Sequence, residues 1–339
     1  MNKFFMKKYI PIYKSASKIC VGYALKKDSY FEYEYTKNNL ILIGKIVRNG
    51  VEKRELHHGM YSDFRRANLL EELLKYRDVR TVSRTSLYFD YLNNNNFTEK
   101  VVNSKVLVYG AGAVGSTIVY MLAQNGFKNI IVIDDDIINQ TDIEKSFVFG
   151  KKDLNKNKVV ALFENILERL DVKIQYLNDT YIRQQDIERD IIRYTPDMII
   201  KGCDPDLIFR TNLNTICFKH NVPFINVAYS FEKLRLGPMY VPGYTCCDES
   251  INQMQKKAFG EHYDFQSDKK LFTESLVHPA ISFNVSMLSS FALKEILMYL
   301  TGQYEYCFTI GRLIEFNPLS LAYNSFELRC EDKCQICKR

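Results

Sequence analysis

The chain contains no apolar run long enough to cross a bilayer. Its opening stretch, MNKFFMKKYIPIYKS, lacks both the apolar core and the small-residue cleavage site of a secretory signal. Neither a membrane span nor export is therefore expected. Strong charge of either sign is also missing. With 46 Lys+Arg against 40 Asp+Glu, the formal net charge is only +6. That excess suits a nucleotide or an acidic peptide and is too weak to argue for nucleic-acid binding. No internal repeat is visible. A cytoplasmic protein is expected, in a compartment where thiols stay reduced, so the nine cysteines read as buried residues or metal ligands rather than disulfides. What is present is ordinary for a globular protein: 339 residues, 46% of them hydrophobic. That is enough for one large α/β domain and a smaller one.

Residues 1–76 read as a small α+β module. KICVGYAL, YFEYEYT and NLILIGKIV are strand-like, and SDFRRANLLEELLKYRDV follows as an amphipathic helix with Ser62 as its N-cap. Residues 77–104 form a connector whose polar run LNNNNFTEK marks a surface loop. From Lys105 strands and helices alternate through KVLVYG, VGSTIVYMLAQNG, NIIVIDDD, NKNKVVALFENILERL, VKIQYLN, DMIIKGCD, LIFRTNLNTICFKHN and VPFINVAYS. This alternation over 105–339 predicts an α/β, doubly wound, mostly parallel sheet. A polar crossover loop over 248–275, a long helix from PAISFNVSM, a closing hairpin and a cysteine-rich tail over 330–339 complete the chain.

The stretch VLVYGAGAVGSTIVYMLAQNGFKNIIVIDDD carries the most chemistry. Gly110, Gly112 and Gly115 fit G-x-G-x-x-G between a strand and a helix. The first permits a tight turn, the second lets a phosphate approach the backbone, and the third lets helix pack on strand. Asp134, ending the next strand, is placed to bond a ribose hydroxyl. NAD or ATP would both fit. Asp136, Asp142, Lys145, Lys156 and Lys158 follow closely. A nicotinamide enzyme has no special need of them, whereas carboxylates can hold Mg²⁺ and lysines a triphosphate. A solvated charge run is the plainer alternative.

The succession G-x-G-x-x-G, IDDD, DIEKSFVF, DLNKNK, GCDPD and PFINVAYSFEKLRLGPMYVPGYTCC resembles the ThiF/MoeB/ubiquitin-activating superfamily. Within it the likeness is strongest to microcin C-type (MccB-like) peptide-modifying enzymes and covers nearly the whole chain. The resemblance implies a Rossmann-like adenylation domain binding ATP and Mg²⁺, and a carboxylate that attacks the α-phosphate to give an acyl-adenylate. It implies that Asp134 holds the ribose, Asp204 binds Mg²⁺ and Lys158 clamps phosphates. Asp204 could equally cap the following helix. Asp142 and Lys145 stand where the family usually has Asn and Arg, and lysine cannot make arginine's bidentate fork. Arg84, in VSRTSLYFDY, matches an arginine that reaches into the partner's site in family dimers, so a homodimer is expected.

Cys334 and Cys337 form a C-x-x-C, which suits tetrahedral Zn²⁺. The family pairs it with a second C-x-x-C, but here the sequence is TCCDES, leaving Cys247 with Ser250 in place of the other cysteine. Cys330 or Cys246 would then be the fourth ligand of a structural zinc. Cys20, Cys203, Cys217 and Cys307 read as core residues. No cysteine lies between 248 and 306, where relatives that form a thioester or persulfide generally carry one. The N-terminal module resembles the winged-helix-like unit that grips a precursor peptide, for which a free sheet edge and Lys26, Lys27, Arg65 and Arg66 are suited. The expectation is ATP-dependent activation of a carboxylate on a ribosomally made peptide, ending in nucleotidyl transfer or cyclisation. Adenylation of a ubiquitin-like sulfur carrier is the alternative within the superfamily. A non-catalytic ATP- or peptide-binding module and an NAD-dependent dehydrogenase are the others.

Overall fold

A computed structural model describes residues 3–22, 30–72, 83–92, 96–203, 207–229, 233–251, 253, 280–330, 334 and 336–337. The chain divides into two compact units, Met1–Asn95 and Asn96–Arg339.

The first unit runs β1 (Lys3–Met6), β2 (Ile12–Ser15), β3 (Lys18–Gly22), β4 (Tyr30–Glu34), α1 (Lys37–Arg48), β5 (Val51–Glu52), α2 (His58–Arg66), β6 (Leu70–Glu71) and α3 (Arg84–Tyr91). Its strands make two antiparallel sheets, ordered β5-β1-β6 and β2-β3-β4. Val21, Ile46, Val51 and Phe64, all at 0% exposure, centre its core. NLILIGKIV, expected as a strand, is the body of α1. Thr36 caps it, its hydroxyl accepting from the Asn39 N–H at 3.2 Å. Ile43 and Ile46 then fall on one buried face, which outweighs the β-propensity of isoleucine and valine. The second expected helix also differs. α2 starts at His58 with Ser62 inside it, and Asn68 at φ 55° turns the chain so that Leu70–Glu71 pairs with β1. Within the expected connector, Phe97–Asn103 is helical and anchored by buried Phe97 and Val101.

The second unit runs α4 (Phe97–Asn103), β7 (Lys105–Tyr109), α5 (Ala113–Gln124), β8 (Asn129–Ile133), α6 (Gln140–Lys145), α7 (Lys158–Leu170), β9 (Gln175–Leu177), α8 (Gln184–Tyr194), β10 (Met198–Lys201), α9 (Leu207–His220), β11 (Phe224–Tyr229), β12 (Leu234–Tyr240), α10 (Ser282–Leu300), β13 (Arg312–Phe316) and β14 (Tyr323–Glu327). Eight strands form one sheet ordered β14-β13-β12-β11-β10-β7-β8-β9. From β11 to β9 all pairs are parallel, and from β11 to β14 all are antiparallel. Alternation splits the buried strands between two faces. Leu107, Tyr109, Ile131, Ile133 and Ile199 pack with Ile187 and Ile191 of α8 and Phe209 and Leu213 of α9. α5 and α10 lie against each other, and Ser289 donates to the Val114 carbonyl at 3.5 Å. Most of the expected crossover loop, at 252 and 254–275, lies outside the described residues. Among the described residues, no helix is long and apolar enough to cross a membrane.

The core and the cap of the first unit should separate in urea unfolding. Thr36→Ala is expected to cost about 1 kcal/mol. Ile46→Ala, which empties a fully buried site, should cost about 2–5 kcal/mol. Equal losses would contradict the placement of α1.

Candidate active site

The chain leaves β7 toward β8 and β9 on one side and returns to β10 on the other. Doubly wound sheets open a ligand crevice at the C-terminal ends of strands where the order reverses in this way. Gly110–Ala111–Gly112 follows β7 at that edge, and Gly202–Cys203 follows β10.

The three signature glycines have different causes. Gly110 sits at φ 97°, and a Cβ there would lie 2.8 Å from the Cys203 backbone nitrogen. A Cβ on Gly115 would lie 2.0 Å from the Gly110 carbonyl oxygen. Protein packing therefore accounts for both. Gly112 is unlike them: its backbone is ordinary, at φ −64°, and a Cβ would meet nothing within 4 Å. It is the N-cap of α5, and no side chain caps that end. The first-turn N–H groups of a helix lack intrahelical partners. Open space beside Gly112 thus borders a ready anion-binding end.

Asp134 ties this turn to β8. Its Oδ2 accepts the Ala111 N–H at 2.6 Å and its Oδ1 the Asp136 N–H at 2.8 Å. Burial lifts its pKa, opposed by the Ala111 N–H and the charge of Lys158. The segment after β8 is pinned to the start of α7, with Ile138 N–H on the Lys156 carbonyl at 2.9 Å and Lys158 N–H on the Asp136 carbonyl at 2.9 Å. This carries the buried Lys158 ammonium to 2.8 Å from Asp136 and 4.0 Å from Asp142. Burial works against its charge. The Asp136 hydrogen bond and the fields of Asp134 and Asp142 outweigh it, raising the pKa above the usual lysine value. Lys158 is a fixed cation at neutral pH.

Asp142 has a local reason. It is the third residue of α6, where it accepts the Asn139 N–H at 3.1 Å while Asn139 accepts the Asp142 N–H at 3.1 Å. Lys145 follows one turn later, half-buried and without a side-chain partner among the described residues. Lys156 is instead spent on Glu164 at 2.7 Å. Asp134, Asp135 and Asp136 bring carboxylate oxygens within 4.8 Å of one another. Asp204 lies outside the described residues, and Arg84 is the exposed first residue of α3 in the first unit. No sequence motif marks Tyr181, in the loop between β9 and α8. Its ring packs on Tyr109 at 5.2 Å and Phe209 at 5.0 Å. Burial raises its pKa, helped by the nearby Cys203, Asp134 and Asp136.

The cysteines divide. Cys247, Cys334 and Cys337 bring their sulfurs within 4.8 Å of one another, with Cys247 and Cys334 at 3.3 Å. Three thiols so placed fit three corners of a tetrahedral zinc. Burial pushes the Cys247 thiol up to about 12. Burial opposes ionisation of Cys334 too, but N–H groups of Cys337 and Ile336 outweigh it and lower its pKa. Cys330 does not join them. It forms a disulfide with Cys246, which corrects both the expected ligand and the expectation of reduced thiols throughout.

The model of the ThiF family matches residues 85–337. The chain belongs to the ThiF family. This ThiF-family chain is 22% identical over 267 residues to the sulfur carrier protein ThiS adenylyltransferase of Escherichia coli (strain K12), covering 77% of this chain and 96% of that protein. It is 26% identical over 129 residues to the SUMO-activating enzyme subunit uba-2 of Caenorhabditis elegans, and spans only 22% of that protein. Among solved structures, E. coli MccB with ATP superposes with a TM-score of 0.77 at 20% identity, covering 99% of this chain and 100% of that one. E. coli MccB with MccA-N7isoASN gives 0.77 at 18% identity, over 99% and 100%. At such identities the likeness establishes the fold.

Two substitutions separate packing from open space. Gly115→Ala should cost several kcal/mol, about 3 or more, because backbone must move to admit it. Gly112→Ala should cost about 1 kcal/mol or less. Thermal unfolding of both variants measures the difference, and a large loss from Gly112→Ala would place it in the core instead.

Proposed function

We propose that this chain is an ATP-dependent enzyme that adenylates a carboxylate of a ribosomally made precursor peptide. The open space at Gly112 carries the ATP half of the reading. Neither packing nor backbone conformation excludes a side chain there, and a phosphate against the α5 N-terminus supplies the reason. Asp134 would hold the ribose. A carboxylate oxygen of the peptide attacks the α-phosphorus, the bond to the leaving pyrophosphate breaks, and an acyl-adenylate remains. Lys158, oriented by Asp136, stabilises charge on the phosphate oxygens. Mg²⁺, when bound, neutralises the leaving pyrophosphate, with Asp204 as the aspartate proposed to hold it. Capture of the acyl carbon by an amide nitrogen, which loses its proton, expels AMP and gives a cyclised product; attack of such a nitrogen on the α-phosphorus of a second ATP, with release of pyrophosphate, gives a nucleotidylated one.

The family match begins at residue 85, while the MccB fold likeness covers 99% of the chain. The residues before 85 are therefore what favours a peptide substrate. In the first unit a cavity of about 620 Å³ is lined by Phe4, Lys53, Arg54, His58 and Tyr61 among others. Arg65 and Arg66 are less available than expected, being paired with Glu72 and Asp63 at 3.0 Å each. The β4 edge has no neighbour in the described sheet and could take an extended peptide. A homodimer with Arg84 reaching the partner's site belongs to the same reading. Adenylation of a sulfur carrier is the second reading, supported by the match over 96% of the ThiS adenylyltransferase.

Intact-mass spectrometry tests the proposal. The peptide from the shortest reading frame beside this gene is incubated with the protein and Mg·ATP. Nucleotidyl addition, or loss of water with release of AMP, is expected. An unchanged peptide alongside adenylation of a Gly-Gly-ended carrier would replace this reading with the second. Gly112→Ala should weaken ATP binding about tenfold or more while the fold persists, and Lys158→Met should lower turnover about 100-fold.

A further inference from the structure

Strand order gives the crevice two sides. Asp134 follows β8, the Gly110–Gly112 turn follows β7, and β10 and β11 lie beyond it. A nucleotide with its ribose at Asp134 and its phosphates at the turn lies over β8 and β7. That leaves the ends of β10 and β11 for the group that attacks.

β10 stops at Lys201, whose register partner is Asn226 of β11. β11 continues through Val227 and Ala228 to Tyr229, paired with β12 on its far side. Among the described residues, no strand lies beside Val227 and Ala228 on the β10 side. β11 thus outruns β10 by roughly 10 Å, at about 3.3 Å per residue, and leaves a step in the sheet. A backbone edge exposed in this way is a docking place for an extended peptide.

Asn226 sits at the foot of the step. Opposite it β12 carries Gly237 and Pro238 where β11 has a single residue, so the ladder bulges there. Bulges re-aim side chains and gather beside active sites. Asn226 Oδ1 is buried and has no hydrogen-bond partner among the described residues. The adjacent Lys201, 2% exposed, directs its ammonium to the Cys203 carbonyl at 3.0 Å instead. Buried acceptors without a donor are few in folded proteins and costly, so this one needs a reason.

We infer that Asn226 is a substrate-binding residue, its Oδ1 accepting the backbone N–H of the peptide residue that bears the attacking carboxylate, with that end of the peptide extended along β11. The inference rests on peptide adenylation as proposed above. It makes the amide N–H next to the carboxylate part of what the site reads. An acid carried on a peptide chain is then preferred to a bare carboxylic acid.

ATP–pyrophosphate exchange tests it, because exchange reads the adenylation step alone. Two peptides are compared: the precursor, and the same peptide methylated on the backbone nitrogen of the residue that is adenylated. With wild-type protein, methylation should lower kcat/KM for the peptide about tenfold. Asn226→Ala should lower it about tenfold for the unmodified peptide, and methylation should then cost nothing further. ATP affinity of Asn226→Ala should stay within about twofold of wild type, which also shows that the variant is folded. Unchanged wild-type exchange on methylation would overturn the inference without any variant. Equal losses from methylation in both proteins, or weakened ATP binding by Asn226→Ala, would overturn it too. Exchange with a Gly-Gly-ended carrier but with no peptide would instead remove the peptide reading, and this inference with it.

Discussion

The second unit turns on a place where three stretches of backbone touch. Gly110, Gly115 and Gly202 meet so closely that a Cβ on Gly115 would lie 3.0 Å or less from the Gly110 carbonyl group and within 3.5 Å of the Gly202 oxygen. α5 thus presses onto the turns that follow β7 and β10, which sets its N-terminus at the C-terminal edge of the sheet. The central strands are buried on both faces, so their packing holds that turn in place. The chemistry proposed for the site inherits its precision from this contact and not from a loop of its own.

Charge is arranged around the same contact with little redundancy. Asp134 spends both oxygens on backbone N–H groups, which makes it a structural tie as well as a candidate ribose ligand. Lys158 is held among Asp134, Asp136 and Asp142, so the cation proposed to meet phosphate is pre-positioned but already partly neutralised. A triphosphate would compete with Asp136, the most exposed of its partners, for the ammonium. Asp142 is the less replaceable of these acids, because it also closes the capping box of α6.

The sheet and the glycine turn after β7 are legible because strand runs such as KVLVYG and NIIVIDDD are short, apolar and bounded by glycine or acids. The closing hairpin was legible for the same reason, and β13 and β14 pair as expected. NLILIGKIV has the composition of a strand, while the deciding signal for its helix, the hydroxyl of Thr36, lies outside the run. α8 has a weak sequence signal, since QQDIERDIIRY buries only Asp186, Ile187, Asp190 and Ile191 among charged neighbours. β12 hid behind Gly237 and Pro238, which look like a turn in sequence. At the site, glycine spacing pointed to the turn, but only the space around each glycine distinguishes packing from ligand. Tyr181 and the Cys246–Cys330 bond come from tertiary proximity, which spacing does not encode.

That disulfide joins residues 84 positions apart and encloses α10, β13 and β14 in one covalent ring. A protease that cuts once anywhere between residues 247 and 329 leaves the two fragments linked. α10 would stay tethered to the sheet it covers, and the cleaved chain would run as one species until a reductant opens the ring.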